Sequence, residues 1–217
     1  MKKLLLSKTN HIGKLIVFEG TDGAGETTMI NLLVAYLSNK YGSSNVLAIK
    51  QPTDMSRKTK LFQKMMYSEL HDDIDYRAVQ LLTMSDRLQH IKEVIEPALK
   101  QGKFIVCDRY VYTSYVNMLA RGYDNETWFL DVSKHIIKPD VTFLAYVKPS
   151  LAIRRIKSRV EEANRFLDEE LLYKVSNIFL ELAKIENFKV LDTSNDSNMT
   201  FNEVLNTLKE VGVINEL

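Results

Sequence analysis

The strand-like run Leu15 to Glu19 leads without a break into Gly20-Thr21-Asp22-Gly23-Ala24-Gly25-Glu26-Thr27-Thr28. A helical stretch carrying Ile30, Leu33, Val34 and Leu37 follows at once. No other feature restricts the fold as much, because strand, glycine loop and helix in that order form the opening unit of a parallel α/β sheet. The loop has the spacing GxxxxGK(S/T). Its glycines let successive backbone N–H groups face one point, and the helix start behind them adds roughly half a positive charge, so phosphate oxygens can be cradled. Gly20, Gly23, Ala24, Gly25, Glu26, Thr27 and Thr28 are the candidate residues for a nucleotide phosphate, and Thr27 is also a candidate Mg²⁺ ligand. The competing reading is an ordinary glycine-rich turn; the strand and helix on either side argue against it.

Glu26 departs from the motif, for a carboxylate stands where an ammonium normally reaches the phosphates. At an effective dielectric of about 20, a unit charge pair 4 Å apart is worth about 4 kcal/mol, so reversing the sign is costly. Three explanations stay open: a natural loss of catalysis, a rewiring in which another cation or Mg²⁺ serves the phosphates, or an introduced substitution.

Beyond the loop, short β-branched runs alternate with stretches of helical period. Strands are expected at Leu15 to Glu19, Val46 to Lys50, Phe104 to Cys107, Val141 to Tyr146 and Lys189 to Leu191. Helices are expected at Thr27 to Asn39, Lys58 to Ser68, Asp75 to Lys100, Val111 to Leu119, Glu126 to Ile137, Leu151 to Ile185 and Phe201 to Val211. The sixth of these is one helix or two with a charged joint around Arg159 to Arg165. The pattern predicts an α/β fold with a five-stranded parallel sheet and helices on both faces. Residues 1–13 read as a ragged leader and residues 14–217 as one domain, since no Gly/Ser/Pro-rich linker divides them.

A chain of 217 residues with 45% hydrophobic content can bury a sizeable core. Its 29 basic and 28 acidic side chains nearly cancel, so no global field draws it to nucleic acid or to an anionic membrane. The single cysteine, Cys107, cannot form an internal disulfide, and a cytoplasmic location is the default expectation. The four histidines are scattered without metal-ligand spacing.

Phe18-Glu19-Gly20-Thr21-Asp22-Gly23-Ala24-Gly25 together with Cys107-Asp108-Arg109-Tyr110 resembles the thymidylate kinases, a family of P-loop nucleoside monophosphate kinases. Gln51-Pro52-Thr53-Asp54, Ser85-Asp86-Arg87 and Glu96-Pro97-Ala98-Leu99 agree with it. The resemblance implies a P-loop NTPase fold, ATP and Mg²⁺ as cofactors, and a nucleotide acceptor. It further implies that Asp108 helps hold Mg²⁺, that Arg109 lies between donor and acceptor phosphates, and that Asp22 approaches the acceptor sugar. A lid at about 158–166 would carry the catalytic arginine, with Arg155, Arg159 and Arg165 as candidates. Thr193 would lie against adenine. The candidate catalytic set is therefore Asp22, Arg109, Arg159 and Arg165.

In the acceptor pocket the resemblance weakens. The family's stacking aromatic aligns with Thr83, its arginine near Pro52 with Gln63 (Arg57 or Lys50 being the possible replacements), and its YQ pair with Asn117-Met118. Arg87 is retained. Asp22, Thr83, Arg87, Arg109, Asn117 and Met118 are the candidate acceptor-binding residues. The expected activity is ATP-dependent phosphorylation of a (deoxy)pyrimidine monophosphate or analogue; the alternative is a catalytically inactive nucleotide-binding or scaffold protein. A homodimer is expected from the family and from the excess of apolar residues Leu81, Leu82, Leu88 and Ile95.

Overall fold

The computed structural model describes residues 1–68, 71, 73–159 and 166–215. Five strands, β1 (Lys14–Gly20), β2 (Val46–Lys50), β3 (Phe104–Asp108), β4 (Val141–Tyr146) and β5 (Lys189–Asp192), form a parallel sheet in the order β2-β3-β1-β4-β5. Strand β1 is central, with Val17 opposite Cys107 on one side and Thr142 on the other. Its side chains alternate between two cores, as a period of two requires. Leu15 and Val17 pack with Ile105, Cys107 and Leu144 on one face, while Ile16 and Phe18 pack with Val106, Phe143 and Leu191 on the other. This is the expected α/β architecture.

The first face is covered by α4 (Tyr76–His90), a π-helical turn at Ile91–Ile95, α5 (Glu96–Lys100), α6 (Val111–Ala120) and α9 (Glu169–Glu186). The second is covered by α1 (Glu26–Tyr41) and α10 (Ser197–Glu210). Helix α1 buries Met29, Ile30, Leu33 and Leu37, the three-and-four spacing that a single buried face produces. The remaining helices are α2 (Asp54–Arg57), α3 (Lys60–Tyr67), α7 (Thr127–Ser133) and α8 (Pro149–Lys157).

Several expectations are corrected. The stretch read as Lys58 to Ser68 holds α3, Lys60–Tyr67, and a separate short helix, α2, precedes it, because Thr53 and Thr59 each accept a hydrogen bond from the first turn that follows them and start separate segments. Of the two alternatives for Leu151 to Ile185, the structure has two helices, α8 and α9; α9 begins afresh where Asp168 Oδ1 accepts the N–H of Leu171 at 2.9 Å. Within the expected lid, residues 160–165, Arg165 among them, lie outside the described residues. Ile95 is fully buried and Leu82 and Leu88 pack on the core, so Leu81 alone of the four apolar residues is exposed.

The leader is corrected too, since it packs against the sheet domain. Leu4 is buried in the core, its N–H donates to Glu186 Oε1 at 2.6 Å, and Ser7 pairs with Ile137. Leu4→Ala is therefore expected to cost about 2 kcal/mol or more. Leu5→Ala, at an exposed neighbour, should change stability by less than about 0.5 kcal/mol. Urea unfolding of the two variants checks the difference.

Candidate active site

The loops after β1, β2 and β3 meet at the carboxyl edge of the sheet, where parallel α/β proteins place their ligand crevice. Residues 20–25 turn back over the start of α1, and Gly23 and Gly25 take positive φ angles of 79° and 98°. A Cβ on Gly23 would lie 2.6 Å from the Ala152 carbonyl oxygen, so the close approach of α8 as well as the backbone angle requires glycine there. Ala24 is buried, while Thr27 and Thr28 are exposed in the first turn of α1. The Thr27 hydroxyl has no protein partner among the described residues.

Glu26 folds back into the loop. Its Oε1 lies 3.0 Å from where a Gly20 Cβ would stand and accepts from Arg109 Nη2 at 3.1 Å. The same Nη2 donates to Asp22 Oδ1 at 2.6 Å. Asp22, Glu26 and Arg109, from two loops, are thus brought together, with the Glu26 carboxylate inside the glycine loop. Burial raises the Glu26 carboxyl from 4.5 to about 7; Arg109 opposes the rise, and the neighbouring Asp22 and Asp108 carboxylates add to it. Burial works against the Arg109 charge, but Asp22, Glu26 and Asp108 outweigh it and raise its pKa.

Arg109 is held from behind. It has a left-handed φ of 64°, uncommon for a residue with a side chain, and its N–H donates to the Phe18 carbonyl at 2.8 Å. Glu19, fully buried, fixes the following turn: Oε1 accepts the N–H of Tyr110 at 2.9 Å and of Thr113 at 3.2 Å, and Oε2 accepts the Thr113 hydroxyl. The sequence reading missed this role of Glu19, although a carboxylate at the end of a buried strand signals it. Asp108 pairs with Lys50 Nζ at 2.7 Å.

A cavity of about 460 Å³ runs from the glycine loop between α4 and α6, within the usual size range of small-molecule sites. Asp22, Asp108, Arg109, Thr83, Asn117 and Arg159 border it. Thr83 is buried, its hydroxyl donating to the Gln80 backbone oxygen at 3.1 Å. Met118 is not among the residues bordering the cavity; it packs in the core. Arg87 is fully buried at the cavity floor and donates to the Thr83 and Tyr110 carbonyls at 3.1 and 3.0 Å, so its terminal nitrogens are spent on backbone. Both possible replacement cations, Lys50 and Arg57, border the cavity. Arg57 is the more enclosed of the two. The Arg57 Nε donates to the Pro52 carbonyl at 2.7 Å; burial lowers the Arg57 pKa, and the nearby positive charge of Arg109 adds to the lowering.

Two further candidates contact the glycine loop. Thr193 spends its hydroxyl on the Ala24 and Tyr146 carbonyls, bracing the glycine loop from outside the cavity. Arg155 donates to the Gly23 carbonyl at 3.3 Å and to the Thr193 carbonyl at 2.9 Å, and so braces the loop.

Because Glu26 binds its proton more tightly folded than unfolded, the unfolded chain ionises first as pH rises. Stability from this group is full below about pH 4.5 and is lost by about pH 7, a loss on the order of 3 kcal/mol. Urea unfolding at pH 5 and pH 8 should show that loss in the native chain and not in Glu26→Gln.

The comparisons with known proteins agree with this geometry. The family model described as thymidylate kinase matches residues 18–204. A probable thymidylate kinase of Pyrococcus horikoshii is 38% identical over 178 residues, covering 80% of this chain and 84% of its own. The thymidylate kinase of Desulfotalea psychrophila is 36% identical over 176 residues, covering 81% and 84%. The crystal structure of thymidylate kinase from Ehrlichia chaffeensis matches with a TM-score of 0.66 at 25% identity, over 90% of this chain and 98% of that one. With a five-stranded parallel sheet whose first strand opens into a glycine loop, the chain has the P-loop NTPase fold and belongs to the thymidylate kinase family.

Proposed function

We propose that the protein transfers the γ-phosphoryl group of ATP to a pyrimidine nucleoside monophosphate seated between α4 and α6. One observation carries the reading: a single cavity joins the glycine loop, the Asp108-Arg109 pair and the α4–α6 cleft. The donor phosphates would rest on the N–H groups of residues 20–28. The acceptor phosphate would lie between the forks of Arg57 and Arg109, which suit planar, charge-assisted recognition of phosphate oxygens. An acceptor oxygen then bonds to the γ-phosphorus as its bond to the β-phosphate oxygen breaks, and the two products are diphosphates. Arg109, fixed by Glu19 and by the Phe18 carbonyl, needs little reorganisation to meet the charge that develops.

Mg²⁺ suits the free Thr27 hydroxyl and the Asp108 carboxylate, and when bound it supplies neutralisation of phosphate charge. Lys50 already faces Asp108 and can shift to the phosphates. A cytoplasmic location and a homodimer accord with this reading, as does action on small molecules and not on nucleic acid or membranes. Arg159, at the cavity rim, is the described candidate for closing over the transferred group.

A second reading, a nucleotide-binding protein without turnover, is favoured by the Glu26 carboxylate, which already fills part of the cradle and holds Arg109. Calorimetric titration of Mg·ATP, followed by transfer assays with nucleoside monophosphates, separates the two in the native chain and in Glu26→Lys. Replacing the carboxylate by an ammonium is expected to tighten Mg·ATP by on the order of 30-fold or more, about 2 kcal/mol. Turnover confined to the Lys variant supports a kinase disabled at one position. Turnover by the native chain at a similar rate removes the second reading, and failure of both proteins to bind Mg·ATP removes the kinase reading.

A further inference from the structure

Two stretches that stand out in the sequence, Gln51-Pro52-Thr53-Asp54 and Ser85-Asp86-Arg87, meet in the structure. Asp86 is almost fully buried on α4. Its Oδ2 accepts the Thr53 N–H at 2.7 Å and its Oδ1 accepts the Thr53 hydroxyl at 2.7 Å. Both oxygens of a buried carboxylate thus hold one residue, and hydrogen bonds to a charged acceptor are the stronger kind. Neither Asp86 nor Thr53 is among the residues bordering the cavity.

Thr53 is the N-cap of α2, its hydroxyl accepting the Met55 N–H at 3.2 Å. That helix has four residues, Asp54–Arg57. A single turn does not hold its shape unaided, because a first turn fixes several dihedral angles for one hydrogen bond. The support comes from α4 and α3. Besides Asp86, the Leu82 carbonyl accepts the Ser56 hydroxyl at 3.3 Å, and Gln63 Nε2 donates to the Arg57 carbonyl at 2.7 Å. Arg57 ends the turn, and its direction is set on both sides. Its Nε donates to the Pro52 carbonyl at 2.7 Å, and its Cζ lies 5.7 Å from the centre of the Phe62 ring. Pro52, Arg57 and Phe62 all border the cavity. The Arg57 charge interacts with those of Arg109, Asp108 and Asp22, so the guanidinium sits on the side of the glycine loop and of the turn after β3.

We infer that Asp86 is the positioning residue for Arg57: by holding Thr53 it fixes α2, and with α2 the guanidinium offered to the acceptor phosphate. Asp86 acts through Arg57 and not on the ligand. The inference rests on the kinase reading of the cavity and names what sets one half of its phosphate clamp.

Calorimetric titration of dTMP, dUMP and dCMP into the full chain tests it without requiring turnover, with the tightest binder of the three as the probe. Arg57→Ala should weaken the probe by at least about tenfold, the loss of one hydrogen bond to a charged group. Asp86→Ala should weaken it by at least about fivefold in the native background but by less than about twofold when Arg57 is already alanine, because residues that act as one unit are not additive. Thr53→Val keeps the N–H and the shape but loses the hydroxyl, and should weaken the probe by about threefold, while Thr53→Ser should retain native affinity. Mg·ATP affinity should be unchanged in the Asp86 and Thr53 variants. If Asp86→Ala does not fold, the same cycle run with Thr53→Val decides. The inference fails, and the kinase reading stands, if the Asp86 and Thr53 variants bind the probe as the native chain does, if their loss persists in full beside Arg57→Ala, or if Arg57→Ala has no effect. Binding of Mg·ATP without binding of any of the three monophosphates removes both.

Discussion

Glu26 and Arg109 meet inside the glycine loop, at the point where a parallel α/β protein of this kind concentrates its positive potential. Much of the carboxyl edge of the sheet is organised around that contact. Arg109 is shared between Glu26 and Asp22, its backbone is held left-handed, and Asp108 beside it turns to Lys50. Three carboxylates, Asp22, Glu26 and Asp108, thereby face three cations, Arg57, Arg109 and Lys50, so the local charge is close to balanced. A lysine at position 26 would leave the same space strongly cationic. The loop keeps the shape of a phosphate cradle while its electrostatics are satisfied from within, and that separates shape from affinity in this chain.

The structure behind the contact is stiff. Glu19 has no exposure and spends both oxygens on the turn that carries Arg109 into α6. Thr193 and Arg155 tie the glycine loop to β4, α8 and the turn after β5. A buried carboxylate without such donors would cost several kcal/mol. With them it becomes a fixed support, and the guanidinium it positions is pre-oriented for any anion that enters.

Much of this was legible in the residues. Strands β2 and β4 have the expected bounds, and the glycine loop lies between strand and helix as its spacing requires, because alternation and glycine content are local signals. What was not legible depends on which face of an element meets the cavity. Asn117 and Met118 are adjacent in sequence, yet one borders the cavity and the other is core, since neighbouring residues on a helix point about 100° apart. Arg87 and Arg57 both border the cavity but meet it differently. Burial turns the terminal nitrogens of the first to backbone carbonyls at the cavity floor, while the second is carried to the cavity by the short helix α2 that the sequence did not reveal. The docking of Leu4 rests on residues more than a hundred positions away, beyond the reach of any local pattern.

The central claim is that the Glu26 carboxyl is buried in the glycine loop, against Arg109. Carbon-detected NMR of the Glu26 side chain as pH is varied measures this most directly. A titration midpoint near 7, falling towards the ordinary glutamate range when saturating Mg·ATP displaces the side chain to solvent, is the result predicted. A midpoint near 4.5 in the ligand-free chain would mean that the carboxylate is solvated outside the loop, and the account would be wrong.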